Sequence, residues 1–189
     1  MIRKILLDID DVLAQCTVSA MRHMGLGSFD LDQYPITGRD VCEAYRVITG
    51  IDMPPSLWWE HFKREWWASI PVTDECYELI DLSGNLVGND NVALLTSPTK
   101  CGQCLAGKLD WVQDKLPSWL HRQYIITPRK WFCATPETLL IDDCQINTHC
   151  FESAGGKAIL YPQPWNLNRE HTKGRFLFIT KELEEVKND

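Results

Sequence analysis

Short apolar runs bounded by polar and turn-forming residues recur along the chain. The first of them, residues 2–7, is rich in strand-forming side chains and ends directly in acidic residues, a pattern typical of a buried parallel strand that leads into a loop. Similar runs follow along the rest of the sequence. They predict strands at residues 2–7, 91–96, 123–127, 138–141 and 158–161, with a shorter one at 176–179.

Segments between these runs carry apolar residues at the three-to-four-residue spacing of helices. Leu105, Leu109 and Val112, for example, fall on one helical face. Ser56 follows two prolines and is predicted to cap the N-terminus of a helix at residues 56–67. The predicted helices cover residues 12–24, 40–48, 56–67, 74–82, 105–116 and 146–154, with a last one from residue 181.

Residues 29 to 75 differ in character from the rest of the chain. They contain four prolines and four of the eight tryptophans, and they show helical patterns but no strand pattern. Elsewhere strands alternate with helices, which indicates right-handed βαβ crossovers and an open parallel sheet. We therefore predict an α/β three-layer sandwich with a central parallel sheet. Its core comprises residues 1–15 and 75–189, and a small helical cap, residues 16–74, is inserted after the first strand to close over the site.

The net charge of −7 argues against broad binding to duplex nucleic acid or to an anionic membrane, because such partners repel an acidic protein. A small anionic substrate is still compatible, since a local site can override the global field. No apolar run approaches the ~20 residues of a membrane span. The N-terminal run is too short for a signal peptide and meets Asp8 at once, so we expect a cytoplasmic protein.

Polar residues follow four of the predicted strands, at the edge where ligand sites of open parallel sheets lie. They occur at residues 8–11, 96–100, 127–130 and 142–143. Asp8 and Asp10 alternate along the chain, so both carboxylates can face one space. Two such acids repel each other unless a cation lies between them, and hard oxygen ligands without a histidine favour Mg²⁺. Asp142 and Asp143 add further carboxylates.

Hydroxyl and ammonium groups at the neighbouring strand ends are suited to hold a phosphoryl group. Thr96 and Ser97 supply hydroxyls and backbone N–H groups, and Lys130 supplies a compact positive charge. Lys100 and Lys108 are alternative candidates for the positive charge that would hold the phosphoryl group. Lys108, however, falls in the middle of a predicted helix and is expected to face solvent.

Two pairs of adjacent tryptophans lie in the predicted cap. Large aromatic side chains at helical spacing mostly fill a core. Adjacent tryptophans cannot all face the same way, however, so Trp66 or Trp67 is a candidate to line the substrate pocket and stack on a base.

Eight cysteines are many for a protein of a reducing compartment, where they would be thiols or metal ligands rather than disulfides. Cys101 and Cys104 form a Cys-x-x-Cys pair that could be half of a zinc site with Cys144, His149 and Cys150, or a redox pair. The sequence contains no second Cys-x-x-Cys, so thiols that serve only in packing are the expectation.

Four segments resemble, in order, the motifs of the haloacid dehalogenase superfamily. Residues 8–13 (DIDDVL) resemble the first motif, residues 93–98 (ALLTSP) the second, Lys130 the lysine of the third and residues 139–143 (LLIDD) the fourth. Each motif alone is weak, but the ordered set at predicted strand ends is specific. The resemblance implies a Rossmann-like core and a magnesium-dependent phosphatase.

A closer resemblance is to the 5'(3')-deoxyribonucleotidases. It rests on residues 96–98 (TSP), 126–130 (ITPRK), 140–143 (LIDD), 155–160 (GGKAIL) and 162–166 (PQPWN). The chain departs from that family at Asp11, where glycine is common, and in a longer cap that is richer in tryptophan. Dimers are common among such relatives, so a homodimer is among the assemblies that the resemblance allows.

The superfamily resemblance also implies a role for each site residue. Asp8 would attack phosphorus and form an aspartyl-phosphate, and Asp10 would protonate the leaving oxygen and then activate water. Mg²⁺ would bind the Asp8 carboxylate, the Asp10 backbone carbonyl and Asp143. Asp142 would orient the site or exchange roles with Asp143. The phosphoryl group would be held by Thr96, Ser97 and Lys130.

These observations predict a magnesium-dependent phosphomonoesterase that hydrolyses (deoxy)ribonucleoside monophosphates. One alternative is a phosphatase for a non-nucleotide small phosphomonoester. Another is a non-catalytic or zinc-binding module that has the same fold, since fold does not determine function. The base, the sugar and the choice between 5' and 3' phosphates are left open. Turnover of an aryl phosphate would separate an enzyme from a binding module, and metal analysis would separate zinc from magnesium.

Overall fold

A five-stranded parallel sheet forms the centre of the computed structural model, which describes residues 1–35 and 38–188. Its strands are β1 (Lys4–Leu7), β2 (Val92–Thr96), β3 (Tyr124–Ile126), β4 (Thr138–Asp142) and β5 (Lys157–Leu160). They are arranged in the order β3-β2-β1-β4-β5, so β1 lies in the middle, and the predicted parallel sheet is confirmed. Residues 36, 37 and 189, which the predicted cap and core include, lie outside the described residues.

An α-helix follows every strand except β3, and several helices fill the segment that follows β1. They are α1 (Cys16–His23), α2 (Val41–Thr49), α3 (Pro55–Glu60), α4 (Arg64–Ser69), α5 (Cys76–Val87), α6 (Gly102–Lys115), α7 (Gln145–Ser153) and α8 (Arg175–Asn188). Within residues 1–35 and 38–188, no helix combines the length and the apolar character that crossing a bilayer requires.

The register of the sheet brings the carboxyl ends of β1, β2 and β4 to one edge. The last residue of β1 pairs with Leu94 in β2 and with Ile141 in β4. Beyond this level β2 ends at Thr96 and β4 at Asp142. Asp8, which follows β1, therefore emerges beside these two side chains, as expected for a ligand site of an open parallel sheet.

Fully buried aliphatic side chains make this edge a rigid platform. Ile5, Leu7, Leu94 and Leu139 on the three central strands are 0% exposed and belong to one core cluster. Burying each such side chain stabilises the fold by about 1.5–3 kcal/mol relative to leaving it in water.

The segment between β1 and α5 forms an insertion, described at residues 16–35 and 38–74, that contains helices and no strand among those residues. Its interior is aromatic, since Trp58 and Phe62 are 0% exposed and Trp67 is 2% exposed. Helix α4 lies directly on α6. A Cβ added at Gly107 in α6 would stand 2.4 Å from the Arg64 carbonyl oxygen, so the two backbones approach closely there.

The short strand predicted at residues 176–179 is wrong, because these residues begin helix α8. Ile179 and Leu183 are 1% and 2% exposed and lie four residues apart, whereas Leu177 is 77% exposed. Burial thus follows the helical period, which a four-residue apolar run cannot reveal.

The helix predicted at residues 56–67 is divided into α3 and α4, with a break after Glu60. Helix α3 begins one residue earlier than predicted, with Pro55 as its first residue and Pro54 at the N-cap, so Ser56 is not the cap. Proline suits the first helical position because its fixed φ matches the helix and its missing N–H would have had no partner.

Candidate active site

Asp8 lies at the sheet edge with its side chain almost fully buried, at 3% exposure for the residue. Its backbone N–H donates to the Ile141 carbonyl at 3.0 Å, which continues the ladder from β1 to β4. The carboxylate Oδ1 accepts the backbone N–H of Ile9 at 2.8 Å and lies 2.7 Å from the Lys130 Nζ. Burial raises the pKa of Asp8 to about 6, although the Lys130 ammonium acts to lower it.

Lys130 is a buried cation that joins the ends of β1 and β4. It is 1% exposed, and its Nζ lies 2.7 Å from Asp8 and 2.6 Å from Asp142 Oδ2. Burial acts to lower the pKa of Lys130, but the two carboxylates outweigh burial and the pKa is raised. The structure therefore places the predicted lysine against the predicted nucleophile.

Asp142 is held rigidly by the residues around it. Its Oδ1 accepts the backbone N–H of Cys144 at 2.8 Å, and the Asn147 side chain donates to both carboxylate oxygens at 3.1 and 3.0 Å. With Lys130 bound to Oδ2, this carboxylate has donors on both sides. Such a group is well suited to orient the site.

Asp143 carries a different set of donors. Its side chain is 0% exposed and accepts two hydrogen bonds from the Arg39 guanidinium and one, at 2.8 Å, from the Trp165 indole Nε1. Asn166 donates to the Asp143 backbone carbonyl at 2.9 Å. Burial raises the pKa of Asp143 against the effect of Arg39.

The three acids Asp8, Asp142 and Asp143 have a geometry that fits a hard divalent cation. Each offers a carboxylate oxygen, and these atoms all lie within 4.8 Å of one another. It is the one such group of His, Cys, Asp or Glu side chains in residues 1–35 and 38–188. Buried carboxylate oxygens are the ligands that Mg²⁺ prefers.

The expectation that Lys108 faces solvent is wrong. The residue is 4% exposed, and its Nζ lies 2.5 Å from Asp10 Oδ2, 2.9 Å from Thr96 Oγ1 and 3.2 Å from the Ser97 carbonyl oxygen. Helix α6 buries the face that contains Cys104, Lys108 and Val112. The sequence suggested instead that the buried face would contain Leu105 and Leu109. Lys100, the other alternative to Lys130, is exposed.

Asp10 uses its two carboxylate oxygens differently. Oδ2 accepts from Lys108, whereas Oδ1 is buried and has no hydrogen-bond partner among the described residues. A buried carboxylate oxygen without a donor is costly, so a ligand that donates a hydrogen bond there would be favoured.

The two predicted hydroxyls lie at the end of β2. Thr96 is 2% exposed and binds Lys108, and the Ser97 Oγ donates to the Thr127 carbonyl at 3.2 Å. They are thus brought to the same edge as Asp8 and Asp10.

A cavity of ≈ 550 Å³ lies between this edge and the insertion. Its lining includes Asp10, Arg39, Trp59, Trp67, Ser97 and Cys144. The indole N–H of Trp67 is buried without a partner among the described residues, and its ring lies 5.9 Å from that of Trp59 and 5.3 Å from the Lys108 Nζ. Trp66 is not among the lining residues and packs on Phe62 instead.

Asp11 has a structural role that the sequence did not suggest. It adopts φ 59°, a left-handed conformation that is unfavourable for most residues other than glycine. Its carboxylate accepts the backbone N–H and the hydroxyl of Thr17 at 2.8 and 2.7 Å, and its carbonyl accepts from Gln163 at 2.6 Å. The tight turn delays α1 to Cys16, four residues later than predicted.

The cysteines do not form the zinc site considered from the sequence. All eight are free thiols, and Cys104 is 0% exposed. Cys101 and Cys104 belong to no group of three or more metal-ligating side chains in the described part of the chain.

Arg39, Lys108 and Trp165 are the site residues that sequence reasoning missed or misplaced. Trp165 lay within the PQPWN segment, and Lys108 lay four residues from both Cys104 and Val112, which was a usable helical signal. Arg39 is an isolated arginine in a loop, and no pattern in the sequence indicates its contact with Asp143, 104 positions away.

Comparison with solved structures finds this fold in hydrolases of the haloacid dehalogenase (HAD) family. A HAD family hydrolase from Deinococcus radiodurans R1, with bound phosphate and sodium, has a TM-score of 0.60 at 13% identity, over 98% of this chain and 96% of its own. The HAD-hydrolase YfnB from Bacillus subtilis, bound to magnesium, has a TM-score of 0.52 at 16% identity, over 83% of this chain and 85% of its own. A haloacid dehalogenase-like hydrolase from Xanthomonas campestris has a TM-score of 0.51 at 13% identity, over 87% of this chain and 84% of its own.

Comparison of the sequence with protein-family models and with curated proteins finds no match. At the identities of the structural neighbours, the similarity establishes the fold, which is the predicted HAD-like α/β sandwich. Function has to be argued from the site itself.

Proposed function

We propose that the chain is a magnesium-dependent phosphomonoesterase that forms an aspartyl-phosphate on Asp8. The observation that carries the proposal is the position of the Asp8 carboxylate. It lies against the Lys130 ammonium, within one group of buried acids, at the strand ends that also present Asp10 and Thr96. A carboxylate held in this way beside fixed cations is suited to attack phosphorus.

The proposed reaction has two displacements at phosphorus. In the first, an Asp8 carboxylate oxygen forms a bond to phosphorus while the ester P–O bond breaks, and Asp10 gives a proton to the leaving alcohol oxygen. In the second, water attacks the same phosphorus and loses a proton to Asp10, and the bond to Asp8 breaks. Inorganic phosphate and the free alcohol are the products.

Lys108 is proposed to position Asp10 for both proton transfers. Its ammonium is bound to Asp10 Oδ2 at 2.5 Å, which leaves Oδ1 as the oxygen that can face the leaving group or the water. Thr96, which also binds Lys108, is proposed to hold the phosphoryl oxygens together with Ser97 and Lys130.

The metal ligands would be the carboxylates of Asp8 and Asp143 and the backbone carbonyl of Asp10, with Asp142 in support. This division of roles follows the resemblance of residues 139–143 to the fourth motif of the superfamily. Bound Mg²⁺ would offset the negative charge of the phosphoryl oxygens. The magnesium bound to YfnB and the phosphate bound to the Deinococcus hydrolase agree with this assignment.

A nucleoside monophosphate is the proposed substrate. The cavity volume of ≈ 550 Å³ falls within the range of small-molecule sites and suits a nucleoside beside Asp10. Trp59 and Trp67 line this cavity and offer aromatic surfaces for a base. Trp67, rather than Trp66, is therefore the residue on which base recognition would depend.

We further propose that residues 16–74 act as the cap. The protein is proposed to reside in the cytoplasm, where its eight thiols would remain reduced. The insertion forms one wall of the cavity, so its position would control water entry and substrate selection.

A phosphate-release screen with Mg²⁺ over nucleoside monophosphates, sugar phosphates and an aryl phosphate tests these assignments. We expect nucleoside monophosphates to give the highest kcat/KM and Asp8→Asn to lose nearly all turnover. Asp114→Asn, a surface change with the same loss of charge, should retain the parent rate. A sugar phosphate as best substrate would contradict the nucleotide assignment, and turnover by Asp8→Asn close to the parent would remove Asp8 from the nucleophile role.

A further inference from the structure

Arg39 connects the insertion to Asp143, a fully buried acid of the site. It lies between Gly38 and the start of α2, and its Nε and Nη2 donate to Asp143 Oδ2 and Oδ1 at 2.9 and 3.0 Å. The Asp143 side chain is 0% exposed, whereas that of Arg39 is 39% exposed. The contact therefore has a buried, fixed end and an end that borders the cavity.

The donors on Asp143 occupy three of its about four lone-pair positions, so a metal ion could bind only on Oδ1, beside the Arg39 guanidinium. Oδ1 accepts from Arg39, and Oδ2 accepts from both Arg39 and Trp165. A carboxylate oxygen has about two lone-pair positions, and Mg²⁺ requires one of them at about 2.0–2.1 Å in near-octahedral geometry. The guanidinium also repels a second cation held by the same carboxylate.

Charge balance leads to the same conclusion. The ammonium of Lys130 contacts Asp8 and Asp142 and neutralises one of the three buried negative charges. Arg39 neutralises a second, whereas a divalent cation would neutralise both that remain. With the metal bound, the Arg39 charge is surplus to the cluster, and its departure becomes favourable.

We propose that Arg39 is a tethered counter-cation that Mg²⁺ displaces from Asp143. Metal binding would then release the part of the insertion that carries Arg39. The loading of the metal and the position of the cavity wall would be coupled. This proposal rests on the metal site of the proposed function.

Trp165 would keep Asp143 oriented while the two cations exchange. Its indole is a neutral donor, so it does not repel a metal ion, and its ring packs against Tyr34 at 4.9 Å. One contact of Asp143 is thus compatible with either cation.

Calorimetric titration of Mg²⁺ into Arg39→Gln tests the exchange, with Arg46→Gln as the matched control. Both variants lose one positive charge from the insertion, but Arg46 binds the exposed Glu43 rather than Asp143. We expect Arg39→Gln to bind Mg²⁺ about tenfold more tightly than the parent, because a charged hydrogen-bonded competitor is removed. Arg46→Gln should remain within about twofold of the parent.

Thermal unfolding gives a second readout. Without a divalent metal, Arg39→Gln should have a lower Tm than the parent, because Asp143 loses its counter-cation. Addition of Mg²⁺ should raise the Tm of Arg39→Gln by more than it raises the Tm of the parent. If Arg39→Gln does not fold, Arg39→Lys serves instead. It keeps the charge but not the two-point contact, and Mg²⁺ affinity above that of the parent is again expected.

The possible results separate the two proposals. Equal or weaker Mg²⁺ binding by the Arg39 variants, with clear binding by the parent, would overturn the exchange and leave the metal site standing. A parent protein that does not bind Mg²⁺ would overturn the metal site itself, and the exchange with it.

Discussion

At the scale of single residues, Asp8 and Asp10, two of the three acids that follow β1, each have their own lysine. Lys130 contacts Asp8 from the segment before β4, and Lys108 contacts Asp10 from α6. Both lysines are nearly fully buried. A buried ammonium loses hydration that only close carboxylates can replace, so each pair holds its acid in one place. The two lysines thus hold Asp8, the proposed nucleophile, apart from Asp10, the proposed proton carrier.

Replacing Lys108 by methionine should reduce phosphatase kcat/KM by about 100-fold, the typical effect of removing one fixed electrostatic contact from a catalytic site. Methionine keeps an apolar stem but no longer holds Asp10 Oδ2. Phosphate release measures the loss. Lys115→Met, in the same helix but paired with Asp114 at the surface, should keep the parent rate. A rate for Lys108→Met within threefold of the parent would show that Asp10 needs no such support.

Asp11 should make the stability of the protein depend on pH. Burial raises its pKa to about 6, against the hydrogen bonds from Thr17, which lower it. The folded protein therefore keeps this proton to a higher pH than the unfolded chain does. Between about pH 4 and pH 6, Asp11 holds its proton in the folded protein but not in the unfolded chain. Each rise in pH across this range therefore favours the unfolded chain, and the stability that the bound proton contributes is lost.

Asp11→Asn removes this titration and keeps a side chain that tolerates the left-handed backbone. Relative to the parent, its free energy of unfolding should increase by about 1–3 kcal/mol between pH 4.5 and pH 7.5. Urea unfolding at both pH values, without divalent metal, measures the change. Asp114→Asn, whose side chain is 69% exposed, should change little, and parallel behaviour of the two variants would contradict the assignment.

The sequence predicted the candidate site residues that lie at the end of a strand or directly after it. Asp8, Thr96 and Asp143 could be placed because strand ends are visible as apolar runs and the carboxyl ends of parallel strands share an edge. Lys108 was expected to face solvent, because its spacing from Cys104 and Val112 was outweighed by the leucine face and the rotation of a helix against the sheet is decided by packing. Arg39 could not be placed, since a long-range contact from a loop leaves no local pattern.

At the scale of elements, the site depends on how closely α4 approaches α6. Trp67 belongs to α4 and Lys108 to α6, and the Lys108 Nζ lies 5.3 Å from the Trp67 ring. Gly107 lies beside this contact and has no side chain to separate the helices. An added Cβ would stand 2.4 Å from both the Arg64 carbonyl oxygen and the Trp67 Cβ. The spacing of these helices thus sets the distance between the proposed base-stacking surface and the proposed proton carrier.

Gly107→Ala should lower the free energy of unfolding by about 1–3 kcal/mol, because backbone has to move to admit the methyl group. Gly102→Ala is the matched control in the same helix, since its Cβ would meet nothing within 4 Å. It should be neutral or stabilising by up to about 1 kcal/mol, as alanine is the better helix former. Chemical denaturation compares the two, and equal effects would mean that α4 and α6 do not pack as described.

Secondary structure was predicted correctly where the pattern of an apolar run fits a strand and not a helix. The five strands of the sheet were found because each is a short apolar run bounded by polar or turn-forming residues. The start of α8 was mistaken for a strand because four apolar residues fit both periods. The break between α3 and α4 was missed because its residues, His61 to Lys63, include no glycine or proline. Tertiary packing decided both cases.

At the scale of the whole molecule, a chain with a net charge of −7 concentrates acids in its interior at one edge of the sheet. Asp8, Asp142 and Asp143 are each 3% exposed or less. Their mutual repulsion is a cost of folding that internal cations offset only in part. A cation that binds the folded state at this position would therefore raise global stability.

Mg²⁺ should raise the Tm of the parent protein in a concentration-dependent way. A ligand at about 100 times its Kd stabilises a folded protein by about 2.7 kcal/mol, which corresponds to about 5–10 °C for a chain of this size. Asp143→Asn should respond much less, because it removes a charged metal ligand, whereas Asp114→Asn should respond like the parent. Sodium chloride at matched ionic strength accounts for general screening, which acts on all surface charges alike. Addition of a chelator should reverse the rise. Equal rises in Tm for the two variants would mean that Mg²⁺ acts on the surface charge of the molecule rather than on the buried acids.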